Sequence, residues 1–370
     1  MSESESGTRP RQQQLALTRA EVRKARAASP RARPAAVPAA RLPVARVLVD
    51  VGLAHLDRPF DYAVSEDQSD EARPGARVKV RFAGKDVAGF VLERVESSEH
   101  IGRLAPLRRV VSPMPVLTAP VARLCRDVAD RYAGVVSDVL RLAVPPRHAR
   151  VEKEFLGEPA STPPAQTAPT PRAESADARH PSARAEIAEV GRAWAPYPAG
   201  GAFLDRLRLG LAPRAVWTAL PGPHWVEAIG DAVLATLVGG RGSVVCLPDQ
   251  RDVVRLADAL RSRLGDAADE VAVVTADLGP SARYRAFLRV LTGASRIVVG
   301  TRSAAFAPVH GPGLLAVWDD GDDLHAEPRA PYPHVREVLA MRAELQGCGL
   351  LVGGFARTAE GQHLVESGWA

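Results

Sequence analysis

Cysteine is scarce in this chain, and its few copies do not cluster. Cys125, Cys246 and Cys348 stand far apart among apolar neighbours. They form neither a metal-ligand spacing nor a disulfide framework, so reduced core thiols of a cytoplasmic protein are expected. Aromatic residues make up only 5% of the 370 residues. No apolar run approaches the roughly 20 residues of a membrane span, and the polar N-terminus does not read as a secretory leader. A further absence is chemical. The strand-like "AVWTAL" at 215–220 is followed by Pro221-Gly222-Pro223-His224-Trp225. A phosphate cradle after a first strand needs backbone N–H groups, a lysine for the outer oxygens and a hydroxyl for Mg²⁺. Two prolines remove two donors, no lysine is present, and Trp225 cannot ligate a metal.

What is present is unevenly charged. The net charge of +5 divides into +6 on residues 1–43, +3 on 44–150 and −4 on 151–370. The first segment, rich in Arg, Ala, Pro and Gln, is expected to be a disordered basic arm, either a solvated tail or an electrostatic contact for DNA. Residues 44–150 begin with period-two runs: Val47, Val49 and Val51, then Phe60, Tyr62 and Val64, then Val78, Val80 and Phe82. Such alternation between turns predicts a small antiparallel β-barrel or meander. Val121, Leu124, Cys125, Val128, Ala129 and Tyr132 then fall on one helical face, expected to lie against the barrel. Residues 151–195 are expected to be a Pro/Ala-rich linker. From 196 to 370, apolar strands alternate with helical stretches at 250–264 and 334–346, which predicts a parallel sheet covered on both faces.

Ligands of such sheets lie at the carboxyl ends of the strands. Two polar clusters occupy that place: Gly300-Thr301-Arg302-Ser303 after "RIVVG", and Asp319-Asp320-Gly321-Asp322-Asp323 after "LLAVW". Asp319 is the candidate for Mg²⁺, and Arg302 is expected to pack against Asp319 or Asp320. The order of these pieces resembles the PriA family of primosomal replication-restart proteins, superfamily 2 DNA helicases, over nearly all of residues 44–370. "RPFDYAV" with "PGARVKVRF" resembles that family's N-terminal DNA-binding domain. "RIVVGTRSAAFAPV" resembles its helicase segment. "LLAVWDDGDD" falls where the family has an Asp-Glu-Glu-His box, and "GGFARTAEG" where it has a Gly-Ser-Ala-Thr-Pro box.

The resemblance implies a barrel that binds DNA 3′ ends, through Phe60, Asp61, Tyr62, a glycine (Gly84, with Ala83 competing) and Arg108, which stands where the family has lysine. Lys79, Arg81 and Lys85 would add to the phosphate field. A ring stacks on any base, a cation holds the adjacent phosphate, and a carboxylate accepts from a free 3′-hydroxyl. On the residues alone, the ordinary reading is that Phe60 and Tyr62 face the core with Asp61 capping a turn, and that the cations form a solvated strand face. The resemblance further implies a RecA-like motor lobe with ATP and Mg²⁺, a zinc module, and partners among DNA forks, 3′ ends, single strands, primosome and single-strand-binding proteins. The chain departs from the family at the lobe: His224 and Trp225 replace Lys and Thr, and Asp320 replaces the glutamate. No zinc ligands are present. The expectation is therefore a DNA-binding protein of replication restart without nucleotide hydrolysis, cofactor or membrane association. The alternative is an ATP-dependent 3′–5′ helicase true to its family.

Overall fold

The computed structural model describes residues 37–157 and 191–370. The expected basic arm up to residue 36 and the expected linker from 158 to 190 lie outside the described residues. Five strands open the fold: β1 (Val44–Val49), β2 (Pro59–Ala63), β3 (Ala76–Phe82), β4 (Lys85–Val95) and β5 (Leu107–Pro115). They form one antiparallel sheet in the order β2-β1-β4-β3-β5. Its edges approach each other where the Ala63 amide donates to the Ala105 carbonyl, giving a barrel-like closure. The alternation sorts the side chains. Ala76, Val78 and Val80 are buried while Lys79 and Arg81 are exposed. Val47, Tyr62, Val78 and Val91 fill the interior.

Residues 37–43, assigned by composition to the arm, already belong to this unit. The Ala39 amide donates to the Val64 carbonyl and Ala39 is buried. The predicted helix is α1 (Ala119–Arg131), with Val121, Leu124, Cys125, Val128 and Ala129 buried. It is followed by α2 (Val136–Ala143) and α3 (Ala149–Gly157). Helix α3 runs past the expected boundary at residue 150, because Val151 and Glu152 are buried against the second unit.

That unit holds α4 (Gly200–Arg208), β6 (Arg214–Thr218), α5 (Trp225–Val238), β7 (Gly242–Cys246), α6 (Gln250–Leu264), β8 (Val271–Val274), α7 (Pro280–Leu291), β9 (Ile297–Gly300), β10 (Pro312–Trp318), α8 (Val335–Gln346), β11 (Gly349–Gly354) and α9 (Ala359–Glu366). Its six strands are parallel, in the order β6-β11-β10-β7-β9-β8. The central strands β7, β9, β10 and β11 are buried along their whole length, as helices on both faces require. The sheet positions the ends of β6, β10 and β11 side by side.

One apolar core runs through both units. Phe90 and Met114 of the barrel, Leu124 and Val128 of α1, and Leu339 and Val352 of the lobe belong to a single cluster. Helix α1, expected against the barrel, therefore lies between barrel and lobe. Tyr132 at its end accepts from the His334 amide at 3.1 Å. A second tie is polar. Glu152 is fully buried and accepts from Arg147 at 2.8 Å and from the Tyr284 hydroxyl of α7 at 2.5 Å.

Candidate nucleic-acid interface

Strand β2 carries the Phe-Asp-Tyr stretch, and its pleat separates the three side chains. Phe60 pairs with Val47 and Tyr62 with Ala45, so both rings turn toward the interior. Tyr62 is 4% exposed and its hydroxyl reaches the Arg81 carbonyl at 3.4 Å. Burial raises its pKa. Tyr62 is thus a core residue and offers no face to a base, a correction that follows from period-two geometry. Phe60 is half-buried, edge-on to Phe82 at 4.9 Å, with the Arg58 guanidinium 5.0 Å from its ring centre.

Asp61 points to the other face. Its partner across β1 is Arg46, whose Nε lies 3.7 Å from Asp61 Oδ1. Arg46 Nη1 is held in turn by Glu93 at 2.7 Å. The Ser98 hydroxyl, from the loop between β4 and β5, donates to Asp61 Oδ2 at 2.5 Å. The Asp61 side chain keeps 18% of its surface in solvent. Neither Arg46 nor Ser98 was anticipated. The alternation of "VARVLV" makes Arg46 an outward residue, but nothing local marks Ser98.

The expected cations gather elsewhere. Arg81 and Arg108 both reach Asp86, at 3.1 and 3.5 Å. The hydrogen bond from Arg81, then the charges of Arg108, Arg81 and Lys79, hold the Asp86 pKa below its usual range. Lys79 faces Arg109 across β5, which makes a basic outer face on β3 and β5. Gly84, in the turn from β3 to β4, and Lys85, the first residue of β4, are exposed. Ala83 and Gly84 have φ of 45° and 79°, a left-handed pair that accounts for the glycine without a ligand. The structure thus pairs Asp61 with Arg46 and groups Arg108 with Arg81 and Asp86.

At the strand ends of the lobe, rings fill the space. Trp225 is the first residue of α5 and is buried. Its indole stacks on Trp318 with centroids 4.8 Å apart and planes 9° apart. Trp217 and Phe355 pack on Trp318 at 5.4 and 5.1 Å. His224 is exposed, 3.6 Å from Glu227. The loop itself carries no lysine, and the Arg255 guanidinium lies 5.5 Å from the Trp225 ring centre.

Asp319 takes a left-handed backbone, φ 56°, while its amide donates to the Gly353 carbonyl at 2.6 Å. Burial, then Asp322 and Asp320, raise its pKa. Asp320 is buried, and its Oδ2 accepts from both Arg336 at 2.8 Å and the Thr358 hydroxyl at 2.7 Å. Asp320 thereby serves the fold, tying Arg336 of α8 to Thr358 of "GGFARTAEG". Arg302 does not meet Asp319 or Asp320. It pairs with Glu327 at 3.3 Å and donates to the Leu324 carbonyl at 2.5 Å. Gly300 is obligatory for a local reason, because a Cβ there would lie 2.0 Å from the Val274 carbonyl oxygen. Thr301 and Ser303 are half-buried on the turn that follows. Among the described residues, no group of three His, Cys, Asp or Glu side chains is arranged to hold a metal, and no helix is long and apolar enough to cross a membrane.

An antiparallel barrel with basic strands is thus joined by a helical bridge to a parallel α/β lobe. The family model of the PriA 3′DNA-binding domain (3′BD) matches residues 46–145. The chain is 49% identical over 320 residues to the probable replication restart protein PriA of Mycobacterium leprae, covering 86% of this chain and 46% of that protein. It is 48% identical over 321 residues to the probable replication restart protein PriA of Mycobacterium tuberculosis (strain CDC 1551 / Oshkosh), covering 86% and 45%. The chain belongs to the PriA family of replication restart proteins and spans about half the length of these relatives. Among solved structures, a hypothetical ATP-dependent RNA helicase from Sulfolobus tokodaii superposes on 45% of this chain and 48% of its own, with a TM-score of 0.33 and 15% identity.

Proposed function

We propose that this chain binds forked DNA and strand 3′ ends in replication restart, in the cytoplasm, and that its lobe does not hydrolyse ATP. The observation that carries the first part is the Asp61 carboxylate, outward, partly exposed and within the family's 3′-end-binding domain. A carboxylate accepts from a neutral terminal hydroxyl and repels a terminal phosphate. The basic outer face of Lys79, Arg81, Arg108 and Arg109 supplies the sequence-independent attraction for phosphates behind the end. Phe60, half-buried beside Phe82, is the less buried of the two rings in the Phe-Asp-Tyr stretch and the one left to meet a base.

The Trp225–Trp318 stack supports the second part. An indole stands where a motor of this family places the residue that holds Mg²⁺, and the residues present do not fit Mg²⁺-ATP. The lobe then serves as a scaffold for DNA and for primosome or single-strand-binding proteins. Retention of Thr301, Arg302, Ser303 and Asp319 favours the second reading, an ATP-dependent 3′–5′ helicase.

Binding of forks ending in 3′-hydroxyl or 3′-phosphate, measured by fluorescence anisotropy, tests the end-reading. The hydroxyl end is expected to bind more tightly, and Asp61→Ala should remove the difference at a cost of about 1.5–3 kcal/mol, the worth of a hydrogen bond to a charged group. Equal binding of both ends by the wild type would reject it. Fork-stimulated phosphate release that disappears in Asp319→Ala would establish the helicase reading instead.

A further inference from the structure

The loop between β4 and β5 plays no part in the function described so far, yet it makes the shortest contact to Asp61. The Ser98 hydroxyl accepts from the His100 amide at 3.0 Å and lies 2.5 Å from Asp61 Oδ2. The amide occupies a lone pair of the hydroxyl, so the hydroxyl proton is directed at the carboxylate. Asp61 Oδ1 faces Arg46 Nε at 3.7 Å, beyond hydrogen-bonding distance. Arg46 cannot move closer without loosening Glu93, which holds its Nη1 at 2.7 Å. One carboxylate oxygen is therefore bound and the other keeps its lone pairs. Without the hydroxyl, the carboxylate is free to turn about its last bond and close on the guanidinium, the geometry that Arg and carboxylate favour. That movement would remove the acceptor from the surface.

We propose that Ser98 is a positioning residue of the 3′-end site: it pins Asp61 Oδ2 so that Oδ1 is presented to the terminal hydroxyl of a DNA strand rather than to Arg46. This rests on the reading of Asp61 as the acceptor of that hydroxyl. Ser98 acts through Asp61 and touches no ligand, so its removal changes discrimination between ends more than overall affinity. The electrostatic attraction of the strand, set by the cations of β3 and β5, is left intact.

The experiment uses the full chain and three forks that differ only at the 3′ end: hydroxyl, hydrogen and phosphate. Hydrogen removes the donor without adding charge. The readout is the ratio of dissociation constants at fixed salt, with the salt slope as a control. Wild type is expected to prefer hydroxyl over hydrogen. Ser98→Ala should reduce that preference roughly three- to tenfold, the range of one net hydrogen bond, with an unchanged salt slope. Ser98→Thr, which keeps the hydroxyl, should retain it. Ser98→Gly is a second removal should Ser98→Ala not fold. If Ser98→Ala keeps the wild-type ratio, or binds hydroxyl ends more tightly, the hydroxyl is dispensable or a competitor, and the proposal is overturned. Asp61→Ala separates the two readings. Loss of preference there with none in Ser98→Ala sinks only the role of Ser98. Absence of any preference in wild type sinks both.

Discussion

Asp320 shows how far a single residue's type is from its role. By position it belongs to an acidic pair at a strand end, where a carboxylate would polarise water. In the fold it is paired with Arg336 and tied to Thr358, both at Oδ2, so that oxygen is committed to the fold. Breaking a buried pair from one side leaves an unpaired charge, and Arg336→Met is expected to cost about 3–5 kcal/mol. The double variant Arg336→Met/Asp320→Leu should be less destabilised than that single change, as read from urea midpoints. Gly300→Ala is a second residue-scale test. Its Cβ meets a backbone carbonyl that cannot swing aside, and a loss of about 1–3 kcal/mol is expected on overpacking grounds. Trp225→Ala should cost about 3–5 kcal/mol, the range for emptying a buried aromatic site, without creating ATPase activity. Recovery of ATP hydrolysis in that variant would contradict the view of the indole as a replacement for the cradle.

At the scale of elements, most of the fold was legible. The apolar runs at 243–248, 296–301, 314–319 and 349–354 are the central strands β7, β9, β10 and β11. The stretch 250–264 is helix α6 to the residue. These succeed because a strand buried on both faces must be apolar throughout, and an amphipathic helix must repeat at its own period. Helix α3 was not legible, because its nine residues sit at the margin of a Pro-rich tract and its stability comes from α7. Helix α8 carries more than its pattern indicates. Its Arg336 fixes Asp320, and its fully buried Arg342 donates to the Ala305 and Ala307 carbonyls at 2.7 and 2.8 Å. One helix thus positions both polar strand-end segments. The rings of Phe60 and Tyr62 were readable as one face of β2, and Asp61 as the other, from alternation alone. The grouping of Arg108 with Asp86 was not, because it depends on how β3, β4 and β5 pair.

For the whole molecule, the tie between barrel and lobe sets a pH dependence. Burial, then the charge of Arg336, push the His334 imidazole down to about 4. Its Nδ1 accepts from the Arg336 amide as the cap of α8, which only the neutral ring can do. The unfolded chain takes up this proton near pH 6.5 and the folded one near 4, so stability falls as pH is lowered through that window. Glu152 acts in the same direction. Its burial alone would raise its pKa, but hydrogen bonds from Arg147, Tyr284 and Ser112 outweigh this and hold it below the usual range. Its contribution is present above the ordinary carboxylate pKa and is lost as pH falls toward its lower folded value. Urea midpoints between pH 7.5 and 4.5 should therefore decline toward acid. His334→Gln should flatten the upper part of that decline, and an unchanged slope in the variant would show that His334 is not its source.

The sequence by itself determined the alternating strands of the barrel, the central strands of the lobe and helices α1, α6 and α8, that the barrel's outer face is basic, and that a lysine loop is missing after β6. Those properties reside in residue type and local period, which folding does not alter. Only the tertiary structure decided that Ser98 and Arg46 flank Asp61, that Arg336 consumes Asp320, and that Trp225 lies flat on Trp318. Each joins residues far apart in the chain, and contacts of that kind depend on strand order and helix packing, to which no local pattern is sensitive.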